Sequence, residues 1–369
     1  MSKRAIFSVT ADGVDVTGNL RPYIISIRVS DRAGASSDAA TIELDDREGQ
    51  IVFPRPGALI SISLGWEGDG IAVVFSGKAD GIRSRRSRGQ GQTMTITAKG
   101  IDSAGSPKAP QQRHFDDTSI KDMLTKAGKD AGISEVKVDG EFASIIRPYE
   151  AMDDESFIAF GQRLAKELGG TFKVRGATAV LVKRSGGTSP SGASLPVVNA
   201  AVGANLHSWD IEPFIGRPRF KKARARYYDQ KEAKWKEVEV EVETEVEGEA
   251  PTLVDRFAVA DEDRAKQETG SRKIDIERAG GEGTVVIEGN IAACAEGTCI
   301  VSGARPGIDG TYRIDSVDHE YSRGSGFTTS LTLKQPHGDA GKDSRSTKSK
   351  TGSQAGEQDF SLPADPEFG

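Results

Sequence analysis

Short runs in which apolar and polar residues alternate dominate the first hundred positions. Ile24, Ile27 and Val29, then Thr41 to Leu44, Leu59 to Leu64, Val73 to Phe75 and Thr93 to Lys99 are separated by Gly, Pro and Asp clusters. This pattern predicts antiparallel strands throughout residues 5–105. In the last run, TMTITAK, Met94, Ile96 and Ala98 share one face. Arg83, Arg85, Arg86 and Arg88 fall between strands in a Ser/Gly-rich stretch, which suits either a solvated hairpin tip or a contact for an acidic neighbour or a phosphate backbone.

From residue 106 the period becomes helical. Ser106 to Gln112 reads as a Pro-containing linker. Thr118 or Asp117 can then cap a helix bearing Ile120, Leu124, Ala127 and Ala131 on one side. A second helix is expected from Asp153 or Asp154, with Phe157, Phe160, Leu164 and Leu168 as its stripe and Gly169 as its stop. Strands at Thr171 to Arg175 and Ala179 to Lys183, turning at Gly176, complete an α+β unit whose helices carry ordinary core stripes. Gly186 to Ser194 has linker composition.

Beyond it, every odd position from 237 to 249 is Glu, while 238, 240, 242 and 246 are Val. Unbroken, such a strand would run roughly 40 Å with one anionic face. A turn near Lys231 would set Arg226 opposite Glu237, Arg224 opposite Glu239 and Lys222 opposite Glu241, each pair contributing about 0.2–1 kcal/mol. That hairpin role leaves later glutamates without basic partners, and the alternative is a surface that repels polyanions, such as a channel lining formed by Glu239, Glu241, Glu243, Glu245 and Glu247. Asp261 to Arg278 is charged and moderately helical. Thr284 to Glu288 and Ile291 to Cys299 lead into a meander. Its strands are expected between Gly297 and Gly303, at Tyr312 to His319 and at Thr328 to Lys334, with turns at Asp309-Gly310 and at Gly324 to Gly326.

The fold class is thus α+β and mainly β. Five segments are expected: a β unit at 1–105, an α+β unit with two helices at 106–185, a connecting segment at 186–214, a second β unit with a long acidic hairpin at 215–335, and a polar tail at 336–369. The tail cannot offset its own ordering entropy, and its Phe360 and Leu362 are candidates for docking on a partner.

Charge and chemistry narrow the function. Lys plus Arg number 49 against 55 Asp plus Glu, and the net charge of −6 argues against nucleic-acid binding as the purpose of the whole surface. No apolar run is long enough to cross a bilayer, and the start, MSKRAIFSV, lacks the core of a signal peptide, so synthesis and folding in the cytoplasm are expected. Cys294 and Cys299 are too few for a disulfide framework and lack further zinc ligands; free thiols or a disulfide both remain open. The histidines, His114, His207, His319 and His337, stand far apart, and His319 suits a structural role better than catalysis. No GxSxG elbow, P-loop or Rossmann fingerprint occurs, and Asp153-Asp154 fits a helix N-terminus better than a glycosidase dyad. No catalytic, cofactor or metal residue is therefore nominated.

Two patches carry a family resemblance. Glu155-Ser156-Phe157-Ile158 through Arg163-Leu164-Ala165, Gly169 and Phe172-Lys173-Val174 form one. The other is Gly310-Thr311-Tyr312-Arg313-Ile314, Val317, His319 and Thr328-Thr329-Ser330-Leu331. With the three-part layout, the chain resembles the phage late control D family, the baseplate hubs of contractile tails, similar in fold to the N-terminal part of VgrG spikes. The resemblance implies two tube-forming, β-barrel-like domains around the α+β domain, and a homotrimer of pseudo-sixfold symmetry. Implied partners are the tail tube protein, a separate central spike, baseplate wedge proteins, and the tape-measure protein and DNA passing through an axial channel, without membrane insertion. The implied place is the virion tail, after assembly in host cytoplasm. TMTITAK at 93–99 echoes TTSLTLK at 328–334, and Gly57 to Ile60 echoes Gly297 to Ile300. A carbohydrate- or receptor-binding tail module, or a cell-wall hydrolase, is the competing class.

Overall fold

The alternating runs pair into one 13-stranded sheet in the computed structural model, which describes residues 3–34, 37–89, 91–101, 106–189, 192–214, 220–242 and 251–342. Its first part comprises β1 (Ala5–Ala11), β2 (Val14–Asp15), β3 (Ile24–Arg32), β4 (Ala39–Asp45), β5 (Leu59–Trp66), β6 (Gly70–Ser87) and β7 (Gly91–Lys99), with a short helix α1 (Thr17–Leu20) after β2. The lateral order is β3-β4-β7-β6-β5-β1-β2. Alternate residues such as Ile27, Ile42, Ile62, Met94 and Ile96 are buried in a shared core, as the period of two requires. Arg83, Arg85 and Arg86, expected in a loop, instead extend β6, opposite Thr95, Thr93 and Gln92 of β7; only Arg88 lies in the turn. A two-stranded ribbon needs backbone bonds and no apolar residue, so its Ser/Arg composition looked like loop.

The middle unit departs from expectation at its edges. Residues 110–119, read as linker and helix cap, form β8 (Pro110–Ser119), which pairs antiparallel with β10 (Ile146–Ser156). Helix α2 (Ile120–Asp130) is capped by Ser119, whose hydroxyl accepts the Asp122 N–H at 3.1 Å, and not by Thr118 or Asp117. β9 (Glu135–Val138) and α3 (Gly140–Ala143) follow. Helix α4 (Phe157–Leu168) starts after Ser156 because Asp153 and Asp154 sit at a register shift in β10. It ends at Gly169, whose φ of 68° closes the helix as the sequence predicts. β11 (Gly170–Arg175) and β12 (Thr178–Lys183) turn at Gly176, and β9 joins β12 in parallel. Phe157 and Phe160 of α4 pack with Phe172 and Leu181 in this unit's own core.

Residues 186–214, expected as connection, contain β13 (Val197–Ala201) and β14 (Leu206–Glu212). Both join the long sheet with β18 (Glu282–Glu288), β19 (Thr298–Ser302), β20 (Gly310–Ser322) and β21 (Gly326–His337). β13 runs parallel to β19, and the order from the edge is β14-β18-β21-β20. Between these lie β15 (Lys222–Asp229), β16 (Lys234–Glu241), β17 (Thr252–Val254) and α5 (Glu262–Arg278). The three strands form a separate sheet, whose Ala225 and Tyr227 pack against Ala265 of α5.

The two β units are one sheet because β20 pairs antiparallel with β3, from Ser316 opposite Arg32 to Ser322 opposite Ser26. Aromatic packing seals this seam. Phe7 lies 4.8 Å from Tyr321, Trp66 lies 5.7 Å from Phe327, and the Trp66 indole donates to the Gly289 carbonyl at 2.8 Å. A Cβ at Gly289 would stand 2.2 Å from the Phe327 ring, so the close approach requires glycine there.

Candidate functional site

A four-strand unit occurs twice in the long sheet, as β14-β18-β21-β20 and again as β3-β4-β7-β6. The hairpins match in detail. Arg85 faces Thr93 as Glu320 faces Thr328, and Arg83 faces Thr95 as Asp318 faces Ser330. Each hairpin has a register shift at the same place, Ala79/Gly81 in one and Ile314/Ser316 in the other. Their turns share Ser-Arg-Gly-x-Gly, Ser87 to Gly91 and Ser322 to Gly326, and Gly91 and Gly326 both have positive φ, 83° and 73°. This turn motif was the signal the sequence reading missed. The echo between residues 57–60 and 297–300 is displaced by one position: Leu59 opposes Lys78 where Thr298 opposes the equivalent Arg313.

The period of two gives this sheet one polar face. A single cross-strand row runs Gly81, Thr97, Thr41, Arg28, Glu320, Thr328, Glu288. The next row toward the hairpin turns runs Arg83, Thr95, Glu43, Ser26, Ser322. Arg28 and Glu320 pair at 2.9 Å across the seam, Ser30 donates to Asp318 there, and Ser316 donates to Thr332 at 2.8 Å. The face is thus short hydroxyls with interspersed charges, of which Arg28 and Glu320 pair at the seam, continuing across both β units, while the intervening residues fill the cores.

Buried ion clusters hold the other units to this wall. Lys173 and Arg175 of β11 engage Asp31 and Asp38. Burial works to raise the pKa of Asp31, but Lys173 and Arg175 outweigh it and hold the carboxyl below its ordinary value. Arg278, at the end of α5, pairs with Glu296 at 3.1 Å and Asp315 at 2.6 Å. Glu296 also accepts from the Ser185 N–H at 2.8 Å and the Thr171 hydroxyl at 3.2 Å, so one carboxylate ties together three parts of the chain. Arg264 of α5 and Arg163 of α4 share Glu150, at 2.6 and 2.7 Å. None of these clusters was foreseen.

His319 is buried, with Nδ1 3.0 Å from the Thr329 hydroxyl, and burial pushes its pKa down to about 4. Cys294 and Cys299 are both free thiols. Cys299 lies in the core of the second β unit, where burial pushes its pKa up to about 12.

The acidic hairpin has the anticipated register: Lys222 opposes Glu241, Arg224 opposes Glu239 and Arg226 opposes Glu237. The ion pairs run partly on the diagonal. Lys222 reaches Glu239 at 2.6 Å, and Arg224 reaches Glu239 at 2.8 Å and Glu237 at 3.2 Å. Hydrogen bonds from Lys222 and Arg224 hold the Glu239 pKa below its ordinary value. Glu239 and Glu241 are on the three-stranded sheet, apart from the polar face of the long one. Glu243, Glu245 and Glu247, like Phe360 and Leu362, lie outside the described residues. Among the described residues no group of three His, Cys, Asp or Glu could hold a metal ion.

The arrangement describes a wall with two repeated panels, braced from one side. Residues 36–325 match the family model described as phage tail baseplate hub (GPD). A probable baseplate hub protein of Escherichia phage P2 is 29% identical over 192 residues, which cover 52% of this chain and 49% of that protein; the alignment thus spans about half the length of that relative. In fold, the chain is similar to the 43 kDa tail protein of prophage MuSo2 from Shewanella oneidensis, with a TM-score of 0.65, 16% identity and coverage of 91% of this chain and 98% of that one. It is also similar to a chain of the Francisella PdpA–VgrG complex, with a TM-score of 0.55, 8% identity and coverage of 91% and 58%.

Proposed function

The chain belongs to the phage tail baseplate hub (GPD) family, and from that premise we propose that it works as a homotrimeric symmetry adaptor between a tail tube and a central spike. The observation that carries this is the repeated four-strand unit. One copy supplies two equivalent wall panels, so three copies supply six, a number that can face a hexameric tube at one end and a threefold spike at the other. The function is geometric: it converts symmetry, anchors the spike and leaves an axial passage.

We assign the lining of that passage to the polar face of the long sheet. Short hydroxyls, with glutamates and the Arg28–Glu320 pair interrupting the arginines of β6, offer a passing tape-measure protein or DNA no continuous cationic track to adhere to. The cores and ion clusters on the opposite side make the wall stiff. The tail tube protein, spike and wedge proteins would then contact the ends and outside of the ring.

Native mass spectrometry of the chain, alone and mixed with the spike and tube proteins of the same particle, tests this. Three copies per assembly is the expected result. Monomers only, even with both partners present, would overturn it.

A further inference from the structure

Among the strand edges that the long sheet leaves unpaired in the described residues, two fall on equivalent elements of the repeat. β14 has β18 as its only strand neighbour, apart from a single bridge from Leu206 to Val202, and β6 loses its β5 neighbour after Ala79, so the ladder of Gly81 to Ser87 is with β7. In the duplicated unit these strands have equivalents that already pair with each other. β6 corresponds to β20, and β14 corresponds to β3. Within one copy the seam is β20 on β3; the equivalent seam between copies is β6 on β14.

We propose that copies join by antiparallel pairing of β6, over Gly81 to Ser87, with β14 of the neighbouring copy. This deepens the trimeric reading and rests on it. The register carries over residue by residue. In the internal seam Asp318 opposes Ser30, Glu320 opposes Arg28 and Ser322 opposes Ser26. Asp318, Glu320 and Ser322 correspond to Arg83, Arg85 and Ser87 through their facing residues in β21 and β7. Ser30, Arg28 and Ser26 correspond to Glu212, Asp210 and Ser208 through β4 and β18. The seam between copies therefore sets Arg83 opposite the neighbouring copy's Glu212, Arg85 opposite its Asp210, and Ser87 opposite its Ser208.

The charges support this pairing independently of the register. All four charged side chains are exposed, and none has an ion-pair partner among the described residues. Their sign is reversed relative to the internal seam. There the β20 side is acidic and the β3 side bears Arg28; here the β6 side is basic and the β14 side acidic. The reversal also disfavours wrong joints. β20 on a neighbour's β14 would oppose Glu320 to Asp210 and Asp318 to Glu212, while β6 on a neighbour's β3 would oppose Arg85 to Arg28. Only alternation of first and second units around the ring matches opposite charges at every seam. Trp209 and Phe214, 42% and 61% exposed at the β14 edge, supply apolar surface to bury there.

Sedimentation equilibrium on the full chain tests the proposal with three variants: R83E/R85E, D210R/E212R, and the four changes together. Each double variant should weaken trimer formation about tenfold or more, and the combined variant should restore most of it. The circular dichroism spectrum should be unchanged, and so should the melting midpoint at concentrations where every variant is monomeric, since every altered side chain is exposed. Trimers unaffected by either double variant, or doubles that the combined variant fails to rescue, would overturn the seam and leave the trimer standing. Wild-type chain that stays monomeric across the concentration range, even with the spike and tube proteins present, would overturn the trimer itself.

Discussion

His319 shows what burial does to a group that chemistry might otherwise have used. With its pKa pushed down to about 4, the imidazole is neutral in the folded protein at neutral pH, hydrogen-bonded to Thr329 and 5.8 Å from the Phe327 ring. Unfolded, it would titrate near 6.5. Between those values the unfolded chain holds a proton that the folded chain does not. His319 therefore costs nothing above about pH 6.5, destabilises progressively as pH falls, and reaches its full effect, about 3 kcal/mol, near pH 4. Urea unfolding of wild type and His319→Gln at pH 7 and pH 4.5 should show a shallower loss of stability in the variant; equal losses would contradict this. A structural role for His319 was legible from its place beside Asp318 and Glu320 at the end of the expected strand, although β20 continues to Ser322. Nothing in a four-residue spacing, however, could tell that Cys299 points into a core.

Among the elements, α5 was the hardest to anticipate fully because charge, not an apolar stripe, positions it. Arg264 reaches Glu150, Arg272 reaches Asp255 at 2.9 Å, and Arg278 reaches Glu296 and Asp315. A helix with few apolar residues offers weak periodicity, although Asp261 caps it as its sequence allows, by accepting the Arg264 N–H at 2.8 Å. Breaking its buried anchor should be costly, since Glu296→Ala would leave the Arg278 guanidinium buried with one carboxylate, Asp315, and the Ser185 hydroxyl beside it. A loss of about 3–5 kcal/mol is expected in equilibrium urea unfolding. A loss under 1 kcal/mol would show that the cluster is not a brace. β8, β13 and β14 were obscured for a related reason. Pro110, the Gln111-Gln112 pair and the Gly/Ser-rich run before Val197 carry loop composition, and these strands form because neighbours distant in sequence supply their ladders.

For the whole molecule, the mainly β class, the helix stripes, the acidic hairpin register and the family were all readable from residues 24–44, 120–168, 222–241 and 310–331. The fusion of both β units was not. It depends on Glu320 finding Arg28 from 292 positions away, a pairing that alternation permits without specifying. The repeat was visible in TMTITAK and TTSLTLK, and more sharply in the Ser-Arg-Gly-x-Gly turns. The consequence we propose for it, equivalent seams within and between copies, needed the strand order. A reconstruction by electron cryomicroscopy of the chain assembled with its tail partners, resolved well enough to trace strands, tests that consequence most directly. A trimeric wall predicts three copies, six equivalent four-strand panels and the Thr41, Thr97, Thr328 row facing the axis. Any other number of copies, or that row facing outward, would contradict it.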